Sequence, residues 1–121
     1  MKKVLLILSL LISSIGIAQD SDNYKQATSS FQSHYNNGDV VGLFNMFDDD
    51  FKKVSTLEKT KTFFKDEVDM SALGKIESME YVNTVRKGNN YIVNFENGVY
   101  NLYLMLGADN KLEFFEMNSV N

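Results

Sequence analysis

The sequence contains no cysteine, no proline and no tryptophan, and it has only one histidine. Without cysteine, the chain has no disulfide, no thiolate metal site and no thiol chemistry, so a small domain must be stabilised by its core alone. Without proline, glycine and asparagine have to supply the turns. Nine phenylalanines and six tyrosines provide large side chains for that core.

One long apolar run is present, at the start of the chain. Two lysines precede the apolar residues 4–12, and Gly16 and Ala18 place small residues at a signal-peptidase site. We therefore expect residues 1–18 to be a cleaved signal peptide and residues 19–121 to be one domain that is exported to the periplasm or the medium. An uncleaved anchor is the weaker alternative, because a membrane span needs roughly 20 apolar residues. A lipid anchor is excluded by the lack of cysteine.

The charge balance argues against two classes of partner. The chain has 12 Lys and Arg against 16 Asp and Glu, and the signal peptide would remove two of the lysines and none of the acids. The domain that remains has ten basic and sixteen acidic residues, a net charge of −6. Nucleic acids and anionic membrane surfaces both require clustered basic residues. We expect neither as a partner, and we expect no membrane span after signal cleavage.

The first half of this domain shows apolar residues at helical spacing. We expect three helices, over residues 24–35, 40–47 and 56–70. Asp39 is a cap for the second helix, and the acidic residues 48–50 end it. Ser55 and Glu58 have the spacing of a capping box for the third.

The second half shows the alternation that is typical of strands. We expect strands at about residues 75–86, 91–96, 99–106 and 111–118. Short turns rich in glycine and asparagine separate them, which predicts an antiparallel meander. The fold class is therefore α+β, with N-terminal helices packed on a curved four-stranded antiparallel sheet.

The register of the central hairpin follows from its turn. Asn97-Gly98 is the favoured type I′ pair. A two-residue turn there pairs Phe95 with Tyr100, Val93 with Leu102 and Tyr91 with Leu104. All six side chains would face the helices.

The last strand allows two registers. A two-residue turn at positions 109–110 directs Phe115 and Met117 to the core. A bulged turn whose second residue is left-handed directs Leu112 and Phe114 there instead. Either register leaves two large apolar residues on the far side of the sheet.

Those two residues would join an apolar patch on the outer face of the sheet. The central hairpin already places Ile92, Tyr103 and Met105 there. Exposed apolar patches usually mark interaction surfaces. We expect these three residues to form an interface for a homodimer or for a protein partner in the cell envelope.

Several short motifs resemble a bacterial exported family, domain of unknown function 3887, in the nuclear transport factor 2-like (cone-fold) superfamily. The motifs in the first half are Phe31, Gly38-Asp39, Phe47 and Leu57-Glu58. The tail FENGVYNLYLMLGADNKLEFF is similar to the end of that family, except that Phe114 stands where the family tends to have a small residue. Members often precede a serine hydrolase domain, and we expect none within these 121 residues.

This resemblance implies a place for a ligand, since cone folds can hold one between helices and sheet. The candidate lining residues are Phe47, Phe64, Tyr91 and Tyr100. Some cone-fold relatives place an Asp base and a Tyr donor in this space. The paired positions of the central hairpin carry no acid on that face, so we expect no such pair.

Catalytic and metal-binding residues are not evident elsewhere. His34 has no acid or nucleophile beside it in a recognisable arrangement, so we expect no catalytic role for it. The acidic residues 48–50 lack the alternating spacing of a calcium loop. We therefore expect no catalytic residue, no metal and no cofactor.

Three functions follow from this interpretation. The leading one is an exported, non-catalytic domain that binds a small hydrophobic ligand or a protein partner. The alternatives are a cone-fold enzyme, of isomerase or hydrolase type, acting on a small hydrophobic substrate, and an accessory subunit of an envelope complex.

Overall fold

A computed structural model describes residues 20–120, and the predicted signal peptide with its cut after Ala18 lies outside them. The helices are α1 (Asp22–Asn36), α2 (Val40–Phe44), α3 (Asp49–Val54), α4 (Leu57–Thr62), a π-helical turn (Phe63–Glu67) and α5 (Met70–Leu73). The strands are β1 (Ile76–Val85), β2 (Gly88–Phe95), β3 (Gly98–Leu106) and β4 (Leu112–Ser119). None of these helices is long and apolar enough to cross a bilayer.

The first helix agrees with its apolar spacing. Ala27, Phe31 and Tyr35 lie on one buried stripe of α1. The helix ends before Gly38, whose φ of +66° favours glycine. The Asp39 carboxylate then accepts a hydrogen bond from Gly42 N at 2.9 Å and caps α2, as predicted.

The acidic residues 48–50 begin a helix, so the prediction that they only end one was wrong. The Asp48 carboxylate accepts from Phe51 N at 2.7 Å, which caps α3. Carboxylates in a first turn are also favoured by the helix dipole. Because α2 already ends at Phe44, Phe47 is free to form a parallel bridge with Leu112 of β4.

The third predicted helix is shifted and divided. Its cap is Thr56, which accepts from Lys59 N at 3.3 Å, whereas Ser55 Oγ bonds with Thr60 Oγ1 at 3.0 Å instead. The π-helical turn follows α4, and Asp69, with a φ of 57°, then separates it from α5. This turn carries Phe64, which is fully buried, and Phe63, which packs against the core.

The sheet has the order β1-β2-β3-β4 with every pair antiparallel, so the predicted meander is confirmed. Helices followed by this open, curved sheet give the predicted α+β fold. One cluster forms the core between the two layers. Its buried members are Phe31, Tyr35, Leu43, Phe47, Phe64, Val68, Leu73, Ile76, Tyr91, Val93, Phe95, Leu102, Leu104, Leu112 and Met117.

The predicted register of the central hairpin was wrong by two residues. Phe95 pairs with Gly98, and Tyr91 pairs with Leu102 rather than Leu104. A type I′ turn needs positive φ at both central residues, and within residues 20–120 neither Asn97 nor Gly98 has it. Asn97 is held instead by Leu73, whose carbonyl accepts from Asn97 N at 2.9 Å. Because the shift is even, each side chain stays on its predicted face.

The last strand combines the two predicted registers. Asn110 is left-handed, with a φ of 62°, as the bulged turn requires. A second irregularity within the strand makes Glu113 an extra residue, since Leu106 pairs with Leu112 and Met105 with Phe114. The face reverses at this bulge. The described part of β4 therefore directs its large residues to the core, except Phe114, which is turned outward.

Candidate functional site

The residues predicted to line a pocket are mostly packed core. Phe47 and Phe64 come together through Phe115, with ring centroids 5.5 and 6.0 Å from it. Tyr91 is almost fully buried and has different neighbours. Tyr100 lies edge-on to Phe95, with ring centroids 5.6 Å apart. That these four residues line a ligand pocket stays a prediction.

The predicted interface residues Ile92, Tyr103 and Met105 are half-buried on the outer face of the sheet. The Tyr103 ring meets Phe114, with centroids 6.2 Å apart. Amide side chains surround them: hydrogen bonds link Asn83 with Asn90, Asn90 with Asn101, and Asn94 with Ser78. Only part of this face is apolar, and the interface also stays a prediction.

A larger cavity lies elsewhere, along one side of α1. It measures about 640 Å³ and lies where α1, α2 and the β3–β4 turn meet. Nine of its thirteen lining residues have polar or charged side chains, and the full set is Asn23, Gln26, Ala27, Ser30, His34, Asp39, Val41, Gly42, Asn45, Met46, Asp109, Asn110 and Lys111. We call this cavity the α1–α2 groove.

His34 and Asp39 form a pair in this groove, which the sequence interpretation missed. His34 Nδ1 lies 3.0 Å from Asp39 Oδ2, while Asp39 Oδ1 accepts from Gly42 N. The Gly42 N–H, and then the imidazole, lower the pKa of the Asp39 carboxyl. When Nδ1 carries the proton, Nε2 is an acceptor. The expectation that His34 has no acid beside it was therefore wrong.

The left-handed turn explains why two residues five positions apart meet. Gly38 reverses the chain after α1, and Asp39 N bonds back to the His34 carbonyl at 2.8 Å. The side chains of His34 and Asp39 then lie directly over Gly42, where a Cβ atom would collide with both. The spacing His-x₃-Gly-Asp-x₂-Gly is the signal that could have identified the pair.

The far wall of the groove is the β3–β4 turn. Lys111 Nζ donates to the Asn45 carbonyl at 3.1 Å, which ties the turn to the end of α2. Asp109 Oδ1 accepts from Lys111 N at 3.0 Å and holds the turn itself. Three separated segments of the chain are thereby fixed around one space.

Four of the nine polar or charged side chains that line the groove are amides, and a fifth carries a hydroxyl group. Asn and Gln carry both a donor and an acceptor, as do hydroxyl groups. Such a lining matches ligands that carry hydroxyl and amide groups. Within residues 20–120, no group of three or more His, Asp or Glu side chains could hold a metal ion.

Two core tyrosines differ in how their hydroxyls are satisfied. Tyr91 donates to Asp20 Oδ1 at 2.6 Å and accepts from Asn89 Nδ2 at 3.2 Å. The buried Tyr35 hydroxyl has no hydrogen-bond partner within the described part of the chain. Burial is the main cause that raises the pKa of both phenols.

Comparison with known proteins gives one finding. The sequence model of a family described as "Protein of unknown function (DUF3887)" matches residues 28–115. That match covers most of α1 and extends to the middle of β4, and it includes His34 and Asp39. No curated protein and no solved structure gives a significant match to this chain.

Proposed function

Because this chain belongs to the DUF3887 family of proteins of unknown function, we propose its function from the groove itself. The domain is an exported, non-catalytic module that binds a small ligand rich in hydroxyl and amide groups, such as an amino sugar, in the α1–α2 groove. Such a ligand is more polar than the hydrophobic one expected from the sequence.

The observation that carries this proposal is the lining of the α1–α2 groove. Its volume of about 640 Å³ falls within the usual range for ligand sites, roughly 300–1,000 Å³. Its polar side chains come from three segments that are joined by the Lys111–Asn45 and His34–Asp39 hydrogen bonds. The space between helices and sheet, by contrast, is filled by side chains of the core.

The test is a titration of the ¹⁵N-labelled domain, residues 19–121, with N-acetylglucosamine and its dimer. We expect saturable amide shifts around Gln26, His34 and Asn45. Gln26→Ala should weaken binding, because it removes a donor and an acceptor from the groove. Ser29→Ala is the matched control, since Ser29 is exposed on α1 but does not line the groove.

Two results would contradict the proposal. Shifts that map to the core positions Phe64 and Tyr91 would support the hydrophobic pocket expected from the sequence. If Gln26→Ala and Ser29→Ala bind the ligand with equal affinity, Gln26 does not contact the ligand. The polar side of α1 would then not be part of the binding site.

Export is a separate part of the proposal. It rests on the lysines, the apolar run and the small residues that end at Ala18. Intact mass spectrometry of the exported protein should find a chain that begins at Gln19. A chain that keeps Met1, or that stays in the membrane fraction, would overturn this part.

The His34–Asp39 pair favours a second candidate function, catalysis by general base. A carboxylate on Nδ1 orients an imidazole so that Nε2 can accept a proton. The exposure of both side chains would let a substrate reach them. Hydrolysis of model esters and isomerisation of model ketones test it: activity that is lost in His34→Gln while the fold is retained would replace the non-catalytic proposal.

A further inference from the structure

The two edges of the sheet are protected to different extents. Along β1, the pairing with β2 is interrupted twice, between Ile76 and Ser78 and between Tyr81 and Asn83. The Asn36 side chain also accepts from Ile76 N at 2.7 Å and donates to its carbonyl at 3.0 Å. Register breaks and a covering side chain both hinder an edge strand from pairing with another chain.

Over residues 112–117, the β4 edge is covered at Leu112, where the strand begins. Leu112 donates to the Met46 carbonyl at 2.8 Å, and its own carbonyl accepts from Asp48 N at 2.9 Å. Beyond the bulge, Val120 N bonds to the Val99 carbonyl on β3. Because backbone groups alternate along an antiparallel strand, those of Phe115 and Met117 point away from β3. Within residues 20–120 they meet no hydrogen-bond partner.

An apolar groove lies beside this open edge. It has a volume of about 340 Å³, and four consecutive residues of β4, 114–117, form one wall. The other wall consists of Phe51, Val54 and Phe63, together with polar neighbours. At about 3.3 Å per residue, the wall is roughly 10 Å long, enough for three or four residues of an added strand.

The surface around this groove exposes two large apolar side chains and has one more acidic than basic residue. Val54 is 69% exposed and Phe114 is 40% exposed. The charged residues that line the groove are Glu67 and Glu116 against Lys59. In the described part of the chain, neither glutamate forms an ion pair at 4.0 Å or less.

We propose that the β4 edge and its groove bind an extended segment of a partner protein in which apolar residues alternate with Lys or Arg. The segment adds a fifth strand beside β4. Its apolar side chains then lie on the same face as Phe115 and Met117 and enter the groove, since side chains alternate along a strand. Its basic side chains lie on the other face, beside Glu116. This surface is separate from the α1–α2 groove.

A second copy of the chain fits this edge poorly. Two β4 strands paired antiparallel around Phe115–Met117 would bring their two Glu116 side chains together on one face. Like charges that are directly opposite destabilise a strand pair. A basic partner makes the opposite, attractive contact with the same residue.

The test uses a blocked peptide of sequence Ser-Val-Lys-Phe-Lys-Val-Ser and a second peptide with both lysines replaced by glutamate. Binding to residues 19–121 is followed by NMR and by fluorescence anisotropy. We expect the lysine peptide to shift the amides of residues 114–117 and to slow hydrogen exchange at Phe115 and Met117. The glutamate peptide should bind more weakly.

Charge reversal on the protein makes the test specific. Glu116→Lys should weaken binding of the lysine peptide about fivefold, which corresponds to about 1 kcal/mol for one exposed ion pair. The same variant should bind the glutamate peptide more tightly than the parent protein does. Val82→Lys, at an exposed position on the β1 edge, is the matched control and should leave the affinity for both peptides unchanged.

Three outcomes would overturn the proposal. These are no binding of the lysine peptide at millimolar concentration, shifts that map away from β4, and equal response of Glu116→Lys and Val82→Lys. Sedimentation of the protein without peptide completes the test. If the protein dimerises through β4, the partner at this edge is a second copy of the chain and not a basic segment. Amino-sugar binding at the α1–α2 groove is measured independently and does not depend on the result.

Discussion

The buried hydroxyl of Tyr35 gives a prediction whose sign is unusual. Most truncations in a core destabilise a protein, but Tyr35→Phe removes only an oxygen that has no hydrogen-bond partner in the described residues. A buried polar group without a partner costs about 1–3 kcal/mol. The ring, which packs on Phe95 with centroids 5.2 Å apart, is kept. We therefore expect Tyr35→Phe to raise the free energy of unfolding by about 1 kcal/mol.

Tyr91→Phe is the matched variant with the opposite sign. Its hydroxyl makes two hydrogen bonds, to Asp20 and from Asn89, and each contributes about 0.5–1.5 kcal/mol. Asn89 is almost fully buried, so its amide loses a partner that water replaces poorly. We expect this variant to lower the free energy of unfolding by about 1–2 kcal/mol.

Urea denaturation with a common m-value measures both changes, and calorimetry should show melting temperatures that move apart by about 4 °C or more for each kcal/mol of difference. A loss of stability in Tyr35→Phe as large as in Tyr91→Phe would refute the reasoning. It would mean that the Tyr35 hydroxyl is satisfied in the folded protein.

The same two phenols should make stability depend on alkaline pH. Burial raises the pKa of both above 10.0, the ordinary value, so the folded state keeps protons that the unfolded chain loses. Their contribution is fully present below pH 10 and falls as the pH rises above it. The double variant, with phenylalanine at positions 35 and 91, should lose less stability between about pH 9 and 11 than the parent.

Three further predictions concern other surfaces. Asp39→Ala should lower stability at neutral pH, and in acid titrations the difference should begin to shrink near pH 4 and continue to shrink as the pH falls further, because the Asp39 pKa is depressed and its ionic contribution is lost only on protonation of the folded protein. Gly42→Ala should separate the His34–Asp39 pair, since its Cβ would collide with both solvent-accessible side chains, and this should appear in the NMR signals of the His34 imidazole; the change in urea denaturation should stay within about 1 kcal/mol, because alanine favours a helix more than glycine does, and Val41→Ala should leave the pair in place. If the outer face of the sheet is an interface, Tyr103→Asp and Met105→Asp should weaken association in light scattering, and a monomer at high micromolar concentration would contradict that interface.

The faces of the sheet could be predicted because they depend on the order of neighbouring residues along each strand. The alternation from residue 75 onward determines which side chains face the helices, and an even register shift leaves those faces unchanged. The shift itself could not be predicted, since it depends on the Leu73 carbonyl that binds Asn97, 24 residues away in the chain. The bulge at Glu113 could not be predicted either, because it depends on the pairing of β4 with both β3 and the Phe47 segment.

The candidate site was less predictable than the fold. His34 could be identified as the only histidine, but its partner Asp39 was assigned to helix capping alone. The structure shows that one carboxylate does both, with one oxygen on Gly42 N and the other on the imidazole. Side chains that line a groove without forming a motif, such as Gln26 and Asn45, leave no periodic signal in a sequence.

The contact between Asn36 and Ile76 has a consequence for the order of folding. Each strand pairs with its neighbour in the chain, so the meander closes only short loops. The Asn36 amide joins positions that are 40 residues apart. Loop-closure entropy delays such distant contacts, so we expect α1 to dock after the sheet has formed and Ile76 is in place. During unfolding, the N-terminal helix should be the first element to detach, while the hairpins stay paired behind it.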